Sequence, residues 1–447
     1  MRAVRAVVIA LGKVGLPLAV KIALAGHEVI GCDVDPRVVR LVGAGREPFP
    51  GEEGLGRALR SVVEAGRLRT TADTRGAVAL GPDLIAVVPP VLVDEQRAPD
   101  FRTIDAVLAE IGATLRQGTL VSVETTVPVG TTRQRFAPAL ERTSGLRAER
   151  DFFLVHSPER VYSGRVLRDL DAYPKLVGGL SEAGERRAGE LYRSFLSAEV
   201  RLLGSAEAAE LTKLAETTYR DVNIALANEL ALYADRLGLD VTAVIEAANS
   251  QPFSHIHRPG IAVGGHCIPV YPRFLQAGAP EARLPPLARE INEAMPAYAL
   301  ARLEAALLGL GGAFRRGLDG ARVLILGVSY RGGVKECAFS GALALRELLE
   351  RRGATVLASD PLYAEGELRA LGFHPWAGGK VDAAILQADH DDFRRLEPRD
   401  LPGLRVLLDG RDALDPEPWR EAGVCVLRLG RPDLTPAGCR PQRPARG

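Results

Sequence analysis

The sequence predicts an α/β protein of two doubly wound domains joined by a long central helical region. Three observations carry this. Short apolar runs alternate with helical periodicity up to about residue 200. A long stretch rich in Ala, Leu and Glu at helical spacing follows. Near residue 322 a strand that runs into a glycine turn starts the alternation again. Strands alternating with helices imply a parallel sheet with right-handed crossovers.

Residues 3–10 (AVRAVVIA) read as a buried strand ended by a glycine-containing turn. Helix is expected over 14–25 and a second strand over 28–33 (EVIGCD). Further strands are expected at 83–88 (DLIAVV), 119–124 (TLVSVE) and 152–156 (FFLVH). A long helix is predicted over 206–237, closed by Gly238, with more helix at 241–249 and 285–308. Leu211, Leu214, Ala215, Thr218 and Val222 recur at helical spacing, which suits a dimer platform or, alternatively, internal packing. The second α/β pattern has strands at 322–328 (RVLILGV), 354–359, 382–386 and near 404–408 and 424–428, with helix at 340–352. The boundaries drawn are 1–203, 204–310 and 311–430, with a tail rich in Pro, Arg and Gly over 431–447 expected to be disordered.

Composition narrows the function. Lys and Arg number 57 against 56 Asp and Glu, which argues against a nucleic-acid partner, since such proteins show a basic excess. The five cysteines, Cys32, Cys267, Cys337, Cys425 and Cys439, have neither metal-ligand spacing nor a paired framework, so free thiols in a reducing cytoplasm are expected and no metal. No secretory leader and no apolar run of about 18 residues is found, so no membrane association is expected.

The first strand leads into ALGKVGLPLA, residues 10–19. Against the fingerprint GxGxxG, the first glycine is Ala10, while Gly12 and Gly15 are in place. Gly12 allows close approach of a pyrophosphate, Gly15 allows the helix to pack on the strand, and the helix N-terminus presents N–H groups to phosphate. Asp33, 18 residues after Gly15 at the end of the second strand, suits an adenosine ribose and repels a 2′-phosphate, which favours NAD over NADP. Val14 within the turn, and Pro89 and Thr126 after later strands, complete the expected cofactor contacts.

Chemistry points to VGGHCIPV, residues 263–270, where Gly264 and Gly265 leave the backbone beside Cys267 open. A thiolate can add to an aldehyde, and oxidation of the thiohemiacetal gives a thioester that water cleaves. Lys213, Arg220 and Asn223 follow at spacings of seven and three on the long helix, and a fixed ammonium there can stabilise an alkoxide. SPER (157–160) and ETTVPVGTT (124–132) follow strands, where ligands of parallel sheets bind. Glu159 is therefore a candidate base toward water, Arg160 a substrate contact, and Thr126 a group that positions water or substrate.

Together VGLPLA, ETTVPVGTT, SPER, the Lys213 helix, VGGHCIPV and VLILGVSY resemble the UDP-glucose/GDP-mannose dehydrogenase family over about residues 3–430, nearest its UDP-N-acetylhexosamine 6-dehydrogenases. The resemblance implies two Rossmann-like domains around a helical homodimer core. It implies NAD bound by the first domain, a UDP-sugar bound by the last, and two NAD consumed per turnover. By position it gives Cys267 as nucleophile, Lys213 as oxyanion stabiliser, Glu159 as assistant in thioester hydrolysis and Thr126 at the water site. Asn223 is counted with the catalytic group, and Arg331, Arg258 and Gly264 with the substrate contacts. Relatives often carry Asp four residues after the cysteine and Asn four after the lysine; here Tyr271 and Thr217 stand there. Phe253 stands where an Arg is usual. GGHC favours an N-acetylated sugar, with UDP-glucose as the alternative. A two-electron hydroxyacid dehydrogenase fits the start of the chain but not Cys267 or the second α/β domain, and a non-catalytic nucleotide-sugar binder would account for Tyr271 and Thr217.

Overall fold

Strand segments of the first 200 residues are apolar on both faces, so they need cover on both sides. In the computed structural model, which describes residues 3–49 and 51–433, they lie in one sheet. Its strands are β1 (Arg5–Ile9), β2 (Glu28–Cys32), β3 (Leu68–Thr71) and β4 (Leu84–Val87), then, beyond a small hairpin of β5 (Leu92–Val93) and β6 (Pro99–Asp100), β7 (Leu120–Val123), β8 (Phe153–His156), β9 (Lys175–Gly179) and β10 (Val200–Leu202). Their order is β10-β9-β8-β7-β4-β1-β2-β3. The order reverses between β1 and β4, and the loops after both flank the crevice that such a switch point opens.

The sheet is not wholly parallel, as the alternation alone implied. β9 runs antiparallel to β8, with His156 opposite Gly178, and β10 follows β9. This reversal brings the start of β9, Lys175, past the C-terminal end of β8. Neither β3, β9 nor β10 is among the predicted strands.

The described chain divides into two units, each taken by itself. The first holds residues up to Glu216 with Arg273–Glu281, and the second Thr217–Pro272 with the residues from Ala282 on. The second is built on β11 (Arg322–Leu326), β12 (Thr355–Ser359), β13 (His374–Pro375), β14 (Ala383–Leu386), β15 (Val406–Asp409) and β16 (Cys425–Arg428), all parallel in the order β13-β12-β11-β14-β15-β16. The central helix is Ala206–Leu237, with the predicted limits, and Leu284–Leu310 packs on β15 and β16, with Leu300, Leu303 and Leu307 in the core of this unit. The helical stretch 204–310 is shared between the units. Most of the tail expected to be disordered, with Cys439, lies outside the described residues. Among those described, no helix is long and apolar enough to cross a membrane.

His156, which ends β8, is fully buried, and neither ring nitrogen has a hydrogen-bond partner among the described residues. Burial, aided by the Lys175 charge, pushes its pKa down to about 3. An unfolded chain protonates the same ring near pH ~6.5. Between those values the unfolded state binds the extra proton, so stability falls as pH drops through that window. His156→Phe removes the term. Urea unfolding at a series of pH values should show the variant gaining on the parent by up to about 1.4 kcal/mol per pH unit below pH ~6.5. Parallel stability curves would rule the explanation out.

Candidate active site

The turn after β1 is built for a phosphate. Ala10 has φ 74°, in the left-handed region that glycine adopts without strain, so the missing first glycine is tolerated rather than irrelevant. The two remaining glycines have different duties. A Cβ on Gly15, the first residue of the helix Gly15–Leu24, would lie 1.9 Å from the Ala10 carbonyl oxygen, so only glycine lets helix and strand meet. A Cβ on Gly12 would meet nothing within 4 Å; the space above it is open to a ligand. Asp33 braces the turn, its Oδ2 accepting from Leu11 N (2.8 Å) and Oδ1 from Asp35 N (2.9 Å). Each oxygen keeps a second lone pair for a ribose hydroxyl. Val14 is half-buried in the turn and Pro89 buried just after β4. Open space over Gly12, helix N–H groups and a carboxylate at the end of β2 together fit a dinucleotide.

Further along the same C-terminal edge, charges are buried in contact. Lys175 Nζ donates to Glu124 Oε2 (2.5 Å), to Glu159 Oε1 and to the Ser157 carbonyl (3.1 Å). Glu124 Oε1 in turn accepts from the Tyr192 hydroxyl and from Ser122 Oγ (3.0 Å). Burial pulls the Lys175 pKa down, but the two carboxylates outweigh it and hold it above its ordinary value. Lys175 is therefore an ammonium at every working pH. Glu159, Arg160 and Lys175 line a shallow pocket with Asp169 and Tyr173.

The central helix closes this edge. Glu210 accepts from Gly130 N, Thr132 N (2.8 Å) and Thr132 Oγ1 (2.6 Å), fastening the loop after β7 that carries buried Thr126. Glu216 pairs with Arg160 at 3.7 Å, and Arg160 donates to the Pro174 carbonyl (2.8 Å). Lys213 lies three residues from each glutamate, one turn either way, and is buried. The structure thus brings Thr126, Glu159, Arg160 and Lys213 to one edge. Arg220, expected on the Lys213 stripe, is exposed instead.

Cys267 belongs to the second unit, where it is exposed and opens the helix Cys267–Gly278. Its N–H is among those a helix leaves without an internal partner. Pro269 falls in the first turn, where no N–H is needed. The preceding glycines have a reason other than substrate approach. A Cβ on Gly264 would lie 2.6 Å from Tyr330 Cβ and 2.9 Å from the Phe339 carbonyl oxygen, and Gly265 has φ 86° with its N–H on the Ala338 carbonyl (2.8 Å). Gly264 is thus a packing residue that seats the bend on the loop after β11. His266 approaches Glu336 at 3.5 Å across the same seam.

Asn223, expected among the catalytic groups, commits its amide elsewhere. It donates to the His255 carbonyl (2.8 Å) and to the Tyr219 hydroxyl (3.0 Å), and accepts from His257 N (2.8 Å). It braces the loop that carries Phe253 and Arg258, both exposed. Arg331 follows β11 as expected of a nucleotide contact, its Nε donating to the Tyr330 hydroxyl (3.0 Å). Tyr271, one turn beyond Cys267, has no carboxylate to offer.

Sequence reasoning missed Glu124 and Lys175, and also Arg411, which donates to the Gln387 carbonyl (2.5 Å), Gln387 Oε1 (2.9 Å) and Tyr330 carbonyl (2.8 Å) at the ends of β11 and β14. ETTVPVGTT does contain Glu124, and a lysine is rare enough in this chain to notice. Nothing local showed that β9 turns back.

Comparison with known proteins gives concordant matches. Domain models of the UDP-glucose/GDP-mannose dehydrogenase family match in order: the NAD binding domain over residues 4–196, the central domain over 207–295 and the UDP binding domain over 324–416. A UDP-N-acetyl-D-mannosamine dehydrogenase from Pyrococcus horikoshii is 34% identical over 434 residues, 96% of this chain and 100% of the relative. An NDP-N-acetyl-D-galactosaminuronic acid dehydrogenase from Ralstonia solanacearum is 36% identical over 417 residues, 90% of this chain and 95% of that one. A solved structure of UDP-D-ManNAc dehydrogenase from Pyrococcus horikoshii superposes with a TM-score of 0.86 at 32% identity, covering 96% of this chain and 99% of that chain.

The two glycines of the first turn make a paired prediction. Gly12→Val should keep the melting temperature of the ligand-free protein within a degree or two while weakening NAD binding at least tenfold. Gly15→Val should unfold it. Thermal melts with and without NAD decide the matter, and a Gly12→Val protein that binds NAD normally would remove the pyrophosphate from this turn.

Proposed function

The chain belongs to the UDP-glucose/GDP-mannose dehydrogenase family and is an NAD-dependent nucleotide-sugar dehydrogenase; from that premise we propose that it oxidises the C6 alcohol of a UDP-N-acetylhexosamine to the carboxylate. The observation that carries the mechanism is Cys267, an exposed thiol opening a helix on a bend fastened to the loop after β11, within the half of the chain that holds the UDP binding domain. Two relatives of 34% and 36% identity bear the names of N-acetylated sugar dehydrogenases, which favours that class over UDP-glucose.

Bound NAD supplies the hydride acceptor, one molecule for each of the two oxidations. The chain's own residues do the rest. Gly12, Val14, Gly15, Asp33, Pro89 and Thr126 hold the coenzyme. The Cys267 thiolate adds to the aldehyde carbon, forming a C–S bond and an oxyanion that the Lys213 ammonium stabilises. After the second oxidation the carbon is a thioester. Water adds to it and gives a proton to Glu159; the C–S bond then breaks, Cys267 leaves as thiolate and the product is a carboxylate. Thr126 orders the water. Glu159, Arg160, Lys213, Arg258 and Arg331 contact the substrate, with Arg331 at the UDP end. The sum is one alcohol, two NAD⁺ and one water giving one carboxylate, two NADH and three protons.

We further propose a cytoplasmic homodimer. Leu211, Ala215, Tyr219, Leu226, Tyr233 and Leu237 form an exposed, largely apolar stripe along the central helix at spacings of four and seven, more than a solvated helix needs. Leu214, predicted on that face, is buried instead.

Two tests follow. A panel of UDP-sugars with NAD should give two NADH per sugar and an acid with an N-acetylhexosamine; Cys267→Ala should make no acid, and Cys267→Ser should stall in the second half. Full turnover to acid by Cys267→Ala would exclude the covalent route. Replacing Leu226 and Tyr233 by Arg should halve the mass measured by light scattering; a parent protein that is already monomeric would end the dimer proposal.

A further inference from the structure

One buried charge has no part in the mechanism above. Lys175 sits at the start of β9, fully buried, and its ammonium has three N–H donors for three acceptors: Glu124 Oε2, Glu159 Oε1 and the Ser157 carbonyl. We propose that Lys175 is a positioning residue that grips Glu159 by Oε1 and so presents Oε2 to the water that cleaves the thioester. The inference rests on the reading of Glu159 as the hydrolytic base.

Three features carry it. The grip is rigid: with every donor used, the ammonium has no alternative partner to swing toward. Glu124, on its far side, is anchored by the Tyr192 hydroxyl and Ser122 Oγ, while Ser157 Oγ donates to the Leu176 carbonyl (2.7 Å) and ties the SPER loop to β9. The grip is one-sided: among the described residues Glu159 Oε2 carries no hydrogen bond, while Oε1 is taken. The grip is also placed where ligands meet a sheet. Only because β9 runs against β8 does its first residue reach the C-terminal edge, where a lysine serving stability alone has no need to be. Burying an ammonium and two carboxylates is costly, and such groups are commonly kept for function rather than for stability.

The other titratable or charged groups around this cluster are Tyr192 on the helix Glu182–Arg193, His156 at the end of β8, and Asp169 and Tyr173 in the pocket lining. Arg160 with Glu216, and Lys213 on the central helix, complete the set. His156 is neutral, Arg160 is paired with Glu216 on the central helix, and Asp169 is paired with Arg165. Changes at Lys175 and Glu124 therefore act on Glu159 most directly.

The test uses the full-length enzyme with NAD and its UDP-sugar, following NADH by stopped flow across a pH series, for K175M, E124Q and E159Q. K175M is expected to release NADH in a burst and then turn over about 100-fold more slowly, because hydrolysis alone is impaired. Loss of the positive neighbour should move the acid limb of its steady-state rate to higher pH. E124Q removes the second carboxylate and should move that limb to lower pH. E159Q should show the burst with almost no steady rate at any pH. K175M that loses the burst together with turnover, or an E124Q limb that stays or moves upward, would overturn the positioning role; should K175M fail to fold, E124Q decides alone. If E159Q turns over normally, the fault lies in the assignment of Glu159 itself.

Discussion

An ammonium can be taken out of water only if all three of its hydrogens find acceptors and its charge finds a counter-charge, and at Lys175 that requirement organises the reactive edge of the first unit. The desolvation cost is several kcal/mol for each ion before pairing. Two carboxylates and a carbonyl meet it, and they come from two separate stretches of chain: Glu124 from the end of β7, Ser157 and Glu159 from the loop after β8. Those stretches carry Thr126 and Arg160 as well. The central helix then fastens the same loops from above, Glu210 holding the β7 loop and Glu216 the SPER arginine. Rigid support of this kind is what a base needs if it is to meet water in one orientation.

A parallel constraint acts on the turns that receive nucleotides. Where a phosphate must come close, the backbone is bare and has to be held by something other than packing. Asp33, at the end of β2, accepts Leu11 N of the turn after β1. In the second unit Asp360, just after β12, accepts Val328 N, Ser329 N and Ser329 Oγ of the turn after β11, and His390 Nε2 lies 3.2 Å away. The Gly333 N–H points at His390 Nδ1, so the Nε2 proton is the one shared with Asp360. Burial raises the Asp360 pKa, but these hydrogen bonds outweigh it and hold the group below the usual carboxylate range. Each unit thus uses the acid after its second strand as a brace. In the first the brace keeps lone pairs free; in the second it is buried and its oxygens are taken by backbone and side-chain donors.

Much of this was legible because the signals were local. Strand–glycine–helix succession gives β1, Gly12, Gly15 and Asp33 directly, and the 32-residue central helix appears with its limits because its spacing never breaks. Motif positions place Thr126, Glu159 and Lys213 at one edge because loops after parallel strands share an edge by topology. What escaped depends on direction and contact. The short run KLVGG is too brief to declare itself a strand, and no periodicity states that it turns back, so Lys175 was invisible as a partner of Glu159. Gly264 looked like an opening for substrate because a glycine's neighbour cannot be read from its own segment; the neighbour is Tyr330, 66 residues away. Asn223 shared a helical spacing with Lys213, but spacing does not show where an amide spends its hydrogen bonds.

The departures at Tyr271 and Thr217 bear on how the chemistry is divided. A phenol is a poor base near neutral pH, so the position one turn beyond Cys267 does not accept a proton from water. The covalent route does not require two bases there. Adding a thiolate to an aldehyde consumes no base, and the oxyanion formed needs a cation, the part proposed above for Lys213. The final hydrolysis has to move a proton off water, and for that step one carboxylate suffices if it is fixed and keeps an oxygen unpaired. Glu159 meets both conditions through a single contact, Lys175 on Oε1. With a phenol at 271, the proposed mechanism rests its proton handling on the SPER loop.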